Sequence, residues 1–290
     1  MSNTLIKAIS FDDYVLIYAA DVTGVVFDLQ KLHDLYPLAS VALGKTIAVS
    51  AIMGAMLKGK ENLRVIVKGD GPLGEITADA NRLIEVRGYV KNPHVHIDNS
   101  DGRLSEHVAI GQKGEIKVIK DLGLKDYFIS TVDLVTGELG KDFTYYFAKS
   151  EQIPSAVGCG VLVDTDYSIL AAGSFIIQVM PGASDEIISR LEKLVKEIKP
   201  VSELIKDGFT PADIVQEICS GERFTVLEKI PIKHTCYCSK DRYTQGLITL
   251  GKDELKKILT EDKGLEIVCH FCGTKYLYAE QDLRDLIDSL

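Results

Sequence analysis

The stretch CYCSKDRYTQGLITLGKDELKKILTEDKGLEIVCHFC, residues 236–272, begins and ends on a cysteine pair: Cys236-Tyr237-Cys238 and Cys269-His270-Phe271-Cys272. A C-x-x-C turn aims two thiolates at one point, and Gly273 just after it supplies the backbone freedom that such a knuckle needs. Cys236 and Cys238 can supply the other half of a tetrahedral set if the chain bends back. The thirty intervening residues carry two helical patterns, Lys240–Leu250 and Lys252–Leu259, and so count as structure. Strand-like runs at Leu265–Cys269 and Thr274–Ala279 and a final helix at Glu280–Leu290 complete a module. The expectation is one Zn²⁺ per chain, held by Cys236, Cys238, Cys269 and Cys272.

Magnitudes make this site a candidate switch. A module of sixty residues rarely draws more than about 3–5 kcal/mol from its core. Structural zinc contributes an apparent ~10–16 kcal/mol in small fingers at neutral pH. Loss of the metal therefore predicts unfolding. Metal-bound sulfur remains a nucleophile that oxidants carry to sulfenate and disulfide, and each pair offers a resolving partner. Lys233, His234, Lys240, Arg242, His270 and Lys275 are near the pairs in sequence, where they can offset the negative charge of four thiolates.

Four of the six cysteines lie in this segment. No export signal is visible: the apolar run Tyr14–Ala20 is short, follows Asp12-Asp13 and lacks a basic leader. In a reducing compartment such a pattern means metal or redox chemistry rather than a disulfide framework, so a cytoplasmic protein is expected. Ser40–Leu57 carries Lys45 and is followed by Lys58 and Lys60, which predicts a closely packed buried helix instead of a bilayer span. The formal net charge is −9, and residues 231–290 hold nine Lys/Arg against ten Asp/Glu. Nucleic-acid affinity rests on displacing counterions with basic side chains, so no nucleic-acid or membrane partner is expected.

Upstream, 290 residues with 46% hydrophobic content call for about two domains and a connector. Residues 1–181 read as an α+β core domain, with antiparallel-rich sheets and a helix over Ser40–Lys58. Strands are expected at Leu63–Lys68, Ile76–Thr77 and Ile84–Val90, with turns at Lys91-Asn92-Pro93 and Asp101-Gly102. Val157–Val163 and Ile169–Val179 are apolar enough for buried central strands. Residues 182–230 read as a helical linker. Ser184 caps a helix whose Ile187, Ile188, Leu191, Leu194, Val195 and Ile198 recur at helical spacing up to Pro200. Ser202–Lys206 makes one turn, and Thr210-Pro211-Ala212-Asp213 opens another helix. Short amphipathic helices cannot bury their own stripes, so they must dock elsewhere. Residues 231–290 form the zinc domain.

CYCSKDR at 236–242, LGKDEL at 250–255 and IVCHFCGTKYLY at 267–278 resemble the thirty-three-kilodalton heat-shock chaperone family of bacteria. The resemblance extends to GDGPLG at 69–74, RGYVKNP at 87–93, SEQIPSAVG at 150–158 and QVMPGA at 178–183. It implies a non-enzymatic, redox-regulated molecular chaperone, an ATP-independent holdase. Reduced, the family binds zinc through the residues matching Cys236, Cys238, Cys269 and Cys272 and is inactive. Oxidised, it forms the Cys236–Cys238 and Cys269–Cys272 disulfides, releases zinc, unfolds its linker, dimerises and holds unfolding or oxidatively damaged client proteins. His270 departs from an acidic residue in the family's pattern. A constitutive zinc-ribbon protein and a thiol oxidoreductase using Cys269 and Cys272 are the competing classes. The first would gain no activity from peroxide, and the second lacks a thioredoxin-like βαβ context.

Other motifs have plainer readings. Gly69-Asp70-Gly71-Pro72-Leu73-Gly74 fits GxGxxG, but Pro72 and the β-leaning residues after it predict a turn between strands, not a dinucleotide loop. His94 and His96 read as surface strand histidines. His107 beside Glu106 suggests acid–base work without a nucleophile or pocket. Cys159 and Cys219 read as structural thiols.

Overall fold

The computed structural model describes residues 3–97 and 105–290. The chain divides into two compact units, Met1–Thr235 and Cys236–Leu290. The first begins with β1 (Thr4–Ser10), β2 (Val15–Asp21), α1 (Thr23–His33), α2 (Pro37–Ala55), β3 (Asn62–Gly69), β4 (Glu75–Asn81) and β5 (Glu85–Val90). It continues through α3 (Glu106–Ile110), β6 (Gly114–Asp121), β7 (Phe128–Asp133), α4 (Leu139–Tyr146), a π-helical turn (Phe147–Glu151), β8 (Ser155–Val163) and β9 (Ile169–Val179). Three helices, α5 (Asp185–Glu197), α6 (Val201–Lys206) and α7 (Pro211–Cys219), lead to β10 (Phe224–Pro231) and β11 (Lys233–His234). The second unit holds α8 (Lys240–Leu250), α9 (Lys252–Asp262), β12 (Gly264–Val268), β13 (Lys275–Ala279) and α10 (Glu280–Asp288).

Two sheets organise the first unit, in the orders β10-β1-β2-β9-β8 and β11-β5-β4-β3-β6-β7. Their described pairings are antiparallel except the two-residue parallel contact of β11 with β5. The fold is α+β, as the irregular alternation of patterns implied. Helix α2 packs against strands of both sheets, and this explains its sequence. A helix apolar all round is a buried helix. It has the length and hydropathy of a membrane span, yet 94% of that window is buried. Leu43, Ile47 and Ile52 are at most 1% exposed, each burial stabilising by about 1.5–3 kcal/mol. The small residues of the helix admit the sheets closely: a Cβ at Gly54 would stand 2.7 Å from the Asn81 carbonyl oxygen. The single charge of α2, Lys45, pairs with Glu106 of α3, which is 8% exposed.

The expected strands at 63–68, 76–77 and 84–90 are β3, β4 and β5. Tyr14–Ala20 is largely β2, inside the five-stranded sheet. One expectation fails: Val157–Val163 lies in β8, an edge strand. Its run is apolar because α2, α4 and α6 all pack on it, so both faces are covered although one edge is open. The Lys91-Asn92-Pro93 turn follows β5, and Asp101-Gly102 lies outside the described residues.

The amphipathic helices find their dock on the five-stranded sheet. Leu191, Val201, Leu204, Ile214, Val215 and Ile218 bury against Ile6, Ile17, Phe175 and Ile177. Caps fix their starts: Ser184 accepts from the Ile187 N–H, and Thr210 and Asp213 form a reciprocal capping box. Helix α5 is seated least firmly. Leu191 is its only fully buried residue, and a cavity of about 440 Å³ lies beside it, lined by Pro154, Ala156, Ile177, Val179 and Val195. Beyond α7, β10 completes one edge of this sheet and β11 adds to the other sheet. Only Ile232, 4% exposed, stands between them, and its N–H donates to the Asn3 carbonyl at 2.9 Å.

Candidate metal centre

Two local structures in the second unit carry the cysteines. Strands β12 and β13 pair antiparallel with Val268 opposite Lys275, so the Cys269–Thr274 stretch is the hairpin turn itself. The Cys269 N–H donates to the Thr274 carbonyl at 2.9 Å and the Gly273 N–H to the Cys269 carbonyl at 2.8 Å. Gly273 has φ +68°, the left-handed conformation expected of the knuckle glycine. At the other pair, Ser239 caps α8 by accepting from the Arg242 N–H at 3.2 Å, which fixes the chain direction one residue after Cys238. Beneath both lies a small core of Leu247, Leu255, Tyr278, Leu283 and Ile287.

The sulfur atoms of Cys236, Cys238, Cys269 and Cys272 all lie within 4.8 Å of one another. Cys236 and Cys269 are 3.8 Å apart and Cys238 and Cys272 3.3 Å. A tetrahedron with metal–sulfur bonds of about 2.3 Å has edges of about 3.8 Å, so the donor set fits a zinc-sized ion. The thiols alone are electrostatically frustrated. Burial and the neighbouring sulfurs push Cys238 up to about 12, against the donation from Tyr276. Burial likewise raises Cys236. Cys272 is half-buried, which opposes ionisation, yet its hydrogen bonds with Thr274 and with neighbouring thiols bring it down to about 6. One thiolate forms readily and the next resists; a dication is what relieves that repulsion.

A tyrosine hydroxyl donates to sulfur, while three of the basic residues near the pairs in sequence are engaged elsewhere. The Tyr276 hydroxyl donates to Cys238 Sγ at 3.1 Å, and that bond pushes its own phenol up to about 12. Thr274 Oγ1 is 3.2 Å from Cys272 Sγ. Burial is the largest reason why the Tyr243 phenol is raised, and the neighbouring sulfurs of Cys269, Cys238 and Cys236 add to it. Its ring centroid is 5.1 Å from that of Tyr276. By contrast Lys240 pairs with Asp282 at 3.2 Å and Lys275 with Glu266 at 3.0 Å, while Arg242 donates to the Tyr237 carbonyl at 3.0 Å. Burial holds the His234 imidazole below its ordinary range, so it is neutral at pH 7. Sequence reading missed the phenols because hairpin register places Tyr276 opposite Ile267, at a distance that motif spacing does not encode.

The remaining candidates separate clearly. GDGPLG is the β3–β4 turn, with the Gly71 N–H donating to the Ile110 carbonyl at 2.8 Å and Asp70 accepting from Gln112 and Lys113. No helix opens there. His94 lies in the turn beyond β5 and His96 in the irregular stretch after it, neither on a strand, because the Asn92-Pro93 turn ends the ladder. His94 Nε2 is 2.9 Å from Asp34 Oδ2. Glu106 turns inward to Lys45 while His107 is exposed, so the two share no site. Cys159 packs against the main core, where burial pushes its thiol up to about 12. Cys219 is buried in the sheet–helix layer, and burial raises its thiol also.

Comparison with known proteins agrees with this geometry. A family model described as Hsp33 protein matches residues 3–279. The 33 kDa chaperonin of Bacillus velezensis is 50% identical over 285 residues, 98% of either chain. That of Staphylococcus aureus is 49% identical over 287 residues, covering 99% of this chain and 98% of the relative. The crystal structure of the 33 kDa chaperonin of Thermotoga maritima matches with a TM-score of 0.91 at 34% identity, covering 100% of this chain and 99% of that one. Sequence, fold and cysteine geometry thus converge, and the chain belongs to the Hsp33 family of chaperones.

Proposed function

We propose that this chaperone is an ATP-independent holdase of the bacterial cytoplasm, switched by the oxidation state of Cys236, Cys238, Cys269 and Cys272. Reduced, the four sulfurs hold one Zn²⁺, and the bound dication supplies the charge that keeps all four ionised. The observation that carries this reading is their convergence within 4.8 Å in a unit whose own core is five buried side chains. Such a core does not stand alone, at roughly 3–5 kcal/mol.

The oxidant in this proposal is hydrogen peroxide. A thiolate attacks one peroxide oxygen, forming an S–O bond as the O–O bond breaks and hydroxide leaves. The second sulfur of the pair then attacks the first, forming S–S as S–O breaks and a second hydroxide leaves. Two sulfurs lose two electrons, and two protons complete two waters. Applied as Cys236–Cys238 and Cys269–Cys272, this destroys the donor set, and the second unit loses its fold. Residues 182–230 serve as the metastable linker between the 1–181 core domain and the 231–290 zinc domain. The thin burial of α5 and the cavity beside it support its release ahead of α6 and α7, freeing apolar surface for unfolding or oxidatively damaged clients. The active form is a homodimer.

The test follows metal release, thiol count and suppression of client aggregation together during peroxide treatment. Activity should rise in step with metal loss. Activity that appears while the metal stays bound refutes the switch. Amide exchange over residues 184–230 should rise after oxidation, first in α5.

A further inference from the structure

One described donor to the sulfur cluster is a phenol: Tyr276 on β13 donates to Cys238 of the first pair at 3.1 Å. Its ring packs against that of Tyr243 on α8 at 5.1 Å with an interplanar angle of 47°, and both pack against the small core. The Tyr276 hydroxyl is therefore held by a ring that Tyr243 and the core keep in place. A hydrogen bond to an anionic sulfur is charge-assisted and draws on the same lone-pair density that would attack an oxidant. Tyr278 provides the contrast from the same core: its hydroxyl meets Thr244 Oγ1 at 3.0 Å and the Lys240 carbonyl at 2.9 Å.

We infer that Tyr276 is a positioning residue that sets the oxidation threshold of the Cys236–Cys238 half of the switch by restraining Cys238, with Tyr243 holding its ring in place. This rests on the redox reading above. In the unoxidised protein the phenol keeps the sulfur a ligand and a poor nucleophile. When peroxide takes the sulfur through the two displacements already described, the phenol loses its anionic acceptor, so the bond is strong before the reaction and weak after it. The first pair then has a threshold of its own, read through β13.

The experiment compares wild type, Tyr276→Phe and, as control, Tyr278→Phe. Co²⁺ is first loaded in place of zinc. Loss of a donor raises the sulfur lone-pair energy, so the sulfur-to-cobalt charge-transfer band should move to longer wavelength in Y276F but not in Y278F. With zinc loaded, metal release under peroxide should accelerate on the order of threefold to tenfold in Y276F, a barrier change of about 0.7–1.4 kcal/mol. Release without peroxide, measured alongside, reports mere loosening. Differential alkylation with mass spectrometry should find Cys236–Cys238 oxidised before Cys269–Cys272 in Y276F. An unchanged band and rate in Y276F, or an equal shift in Y278F, overturn the inference. A wild type that switches normally beside an unchanged Y276F leaves the redox reading standing, whereas a wild type that keeps its metal in peroxide overturns both.

Discussion

Leu283→Ala tests whether metal binding and folding of the second unit are one equilibrium. Leu283 sits on α10, fully buried among Leu247, Leu255, Tyr278 and Ile287. Truncating a buried leucine costs about 3 kcal/mol in transfer and cavity energy. That approaches everything a core of this size provides, roughly 3–5 kcal/mol, but falls well short of the ~10–16 kcal/mol contributed by structural zinc. The variant should therefore fold normally when loaded. If the unit is unfolded without metal, the whole cost must appear in the binding constant, because binding has to do the additional folding. At about 1.4 kcal/mol per decade, the metal dissociation constant rises on the order of 100-fold. Competition with a chromophoric chelator in reducing buffer at pH 7 measures this directly. Leu277→Ala, at a side chain 64% exposed, is the control and should leave affinity unchanged. An L283A protein with wild-type affinity, together with a structured metal-free unit, would refute the coupling on which the switch depends.

Three further outcomes are expected. Glu106→Gln leaves Lys45 charged inside α2 without its partner and should destabilise the first unit by about 3–5 kcal/mol, read as a lowered denaturation midpoint. Gly54→Ala drives a Cβ to 2.7 Å from the Asn81 carbonyl; backbone cannot yield as a side chain does, so a cost of about 1–3 kcal/mol should outweigh the gain in helix propensity. Hydrogen bonds from the Thr210 side chain and backbone lower the Asp213 pKa. Its depressed folded value means that this cap stabilises α7 fully above the ordinary aspartate range near 3.8 and weakens as pH falls through the folded value. Protection factors of the α7 amides, which remove the intrinsic pH dependence of exchange, should thus fall as pH drops below 3.8, and fall less in Asp213→Asn.

Chemistry was more legible in the sequence than topology. Helix α2 announced itself because burial on every side demands an unbroken apolar run, and the capping residues of α5 and α7 act locally. The thiolate cluster was readable because a metal imposes its geometry on a short spacing. Strand β8 misled because apolar composition reports covered faces and is blind to an open edge. The dock of α5–α7 could not be named, since an amphipathic stripe demands a partner without specifying it; Phe175 and Ile177 of β9 supply one. His94 and His96 were misplaced by a turn one residue away. Tyr276 escaped notice because its bond to Cys238 comes from a hairpin register, which is not a motif.

The chain just ahead of Cys236 passes from the rim of one sheet to the rim of the other with a single residue between. Lys233 and Thr235 donate to Ile84 and Val86 on one side, and β10 lies along β1 on the other, so this crossing acts as a clasp. A pull or a loosening that starts at the cysteines must undo it in sequence: the bonds to Val86 and Ile84, then Ile232, then β10 rung by rung from Pro231. Each released rung bares a backbone edge able to pair with an extended stranger. Amide exchange at β1 that rises before exchange at β5 would contradict that order of unfastening.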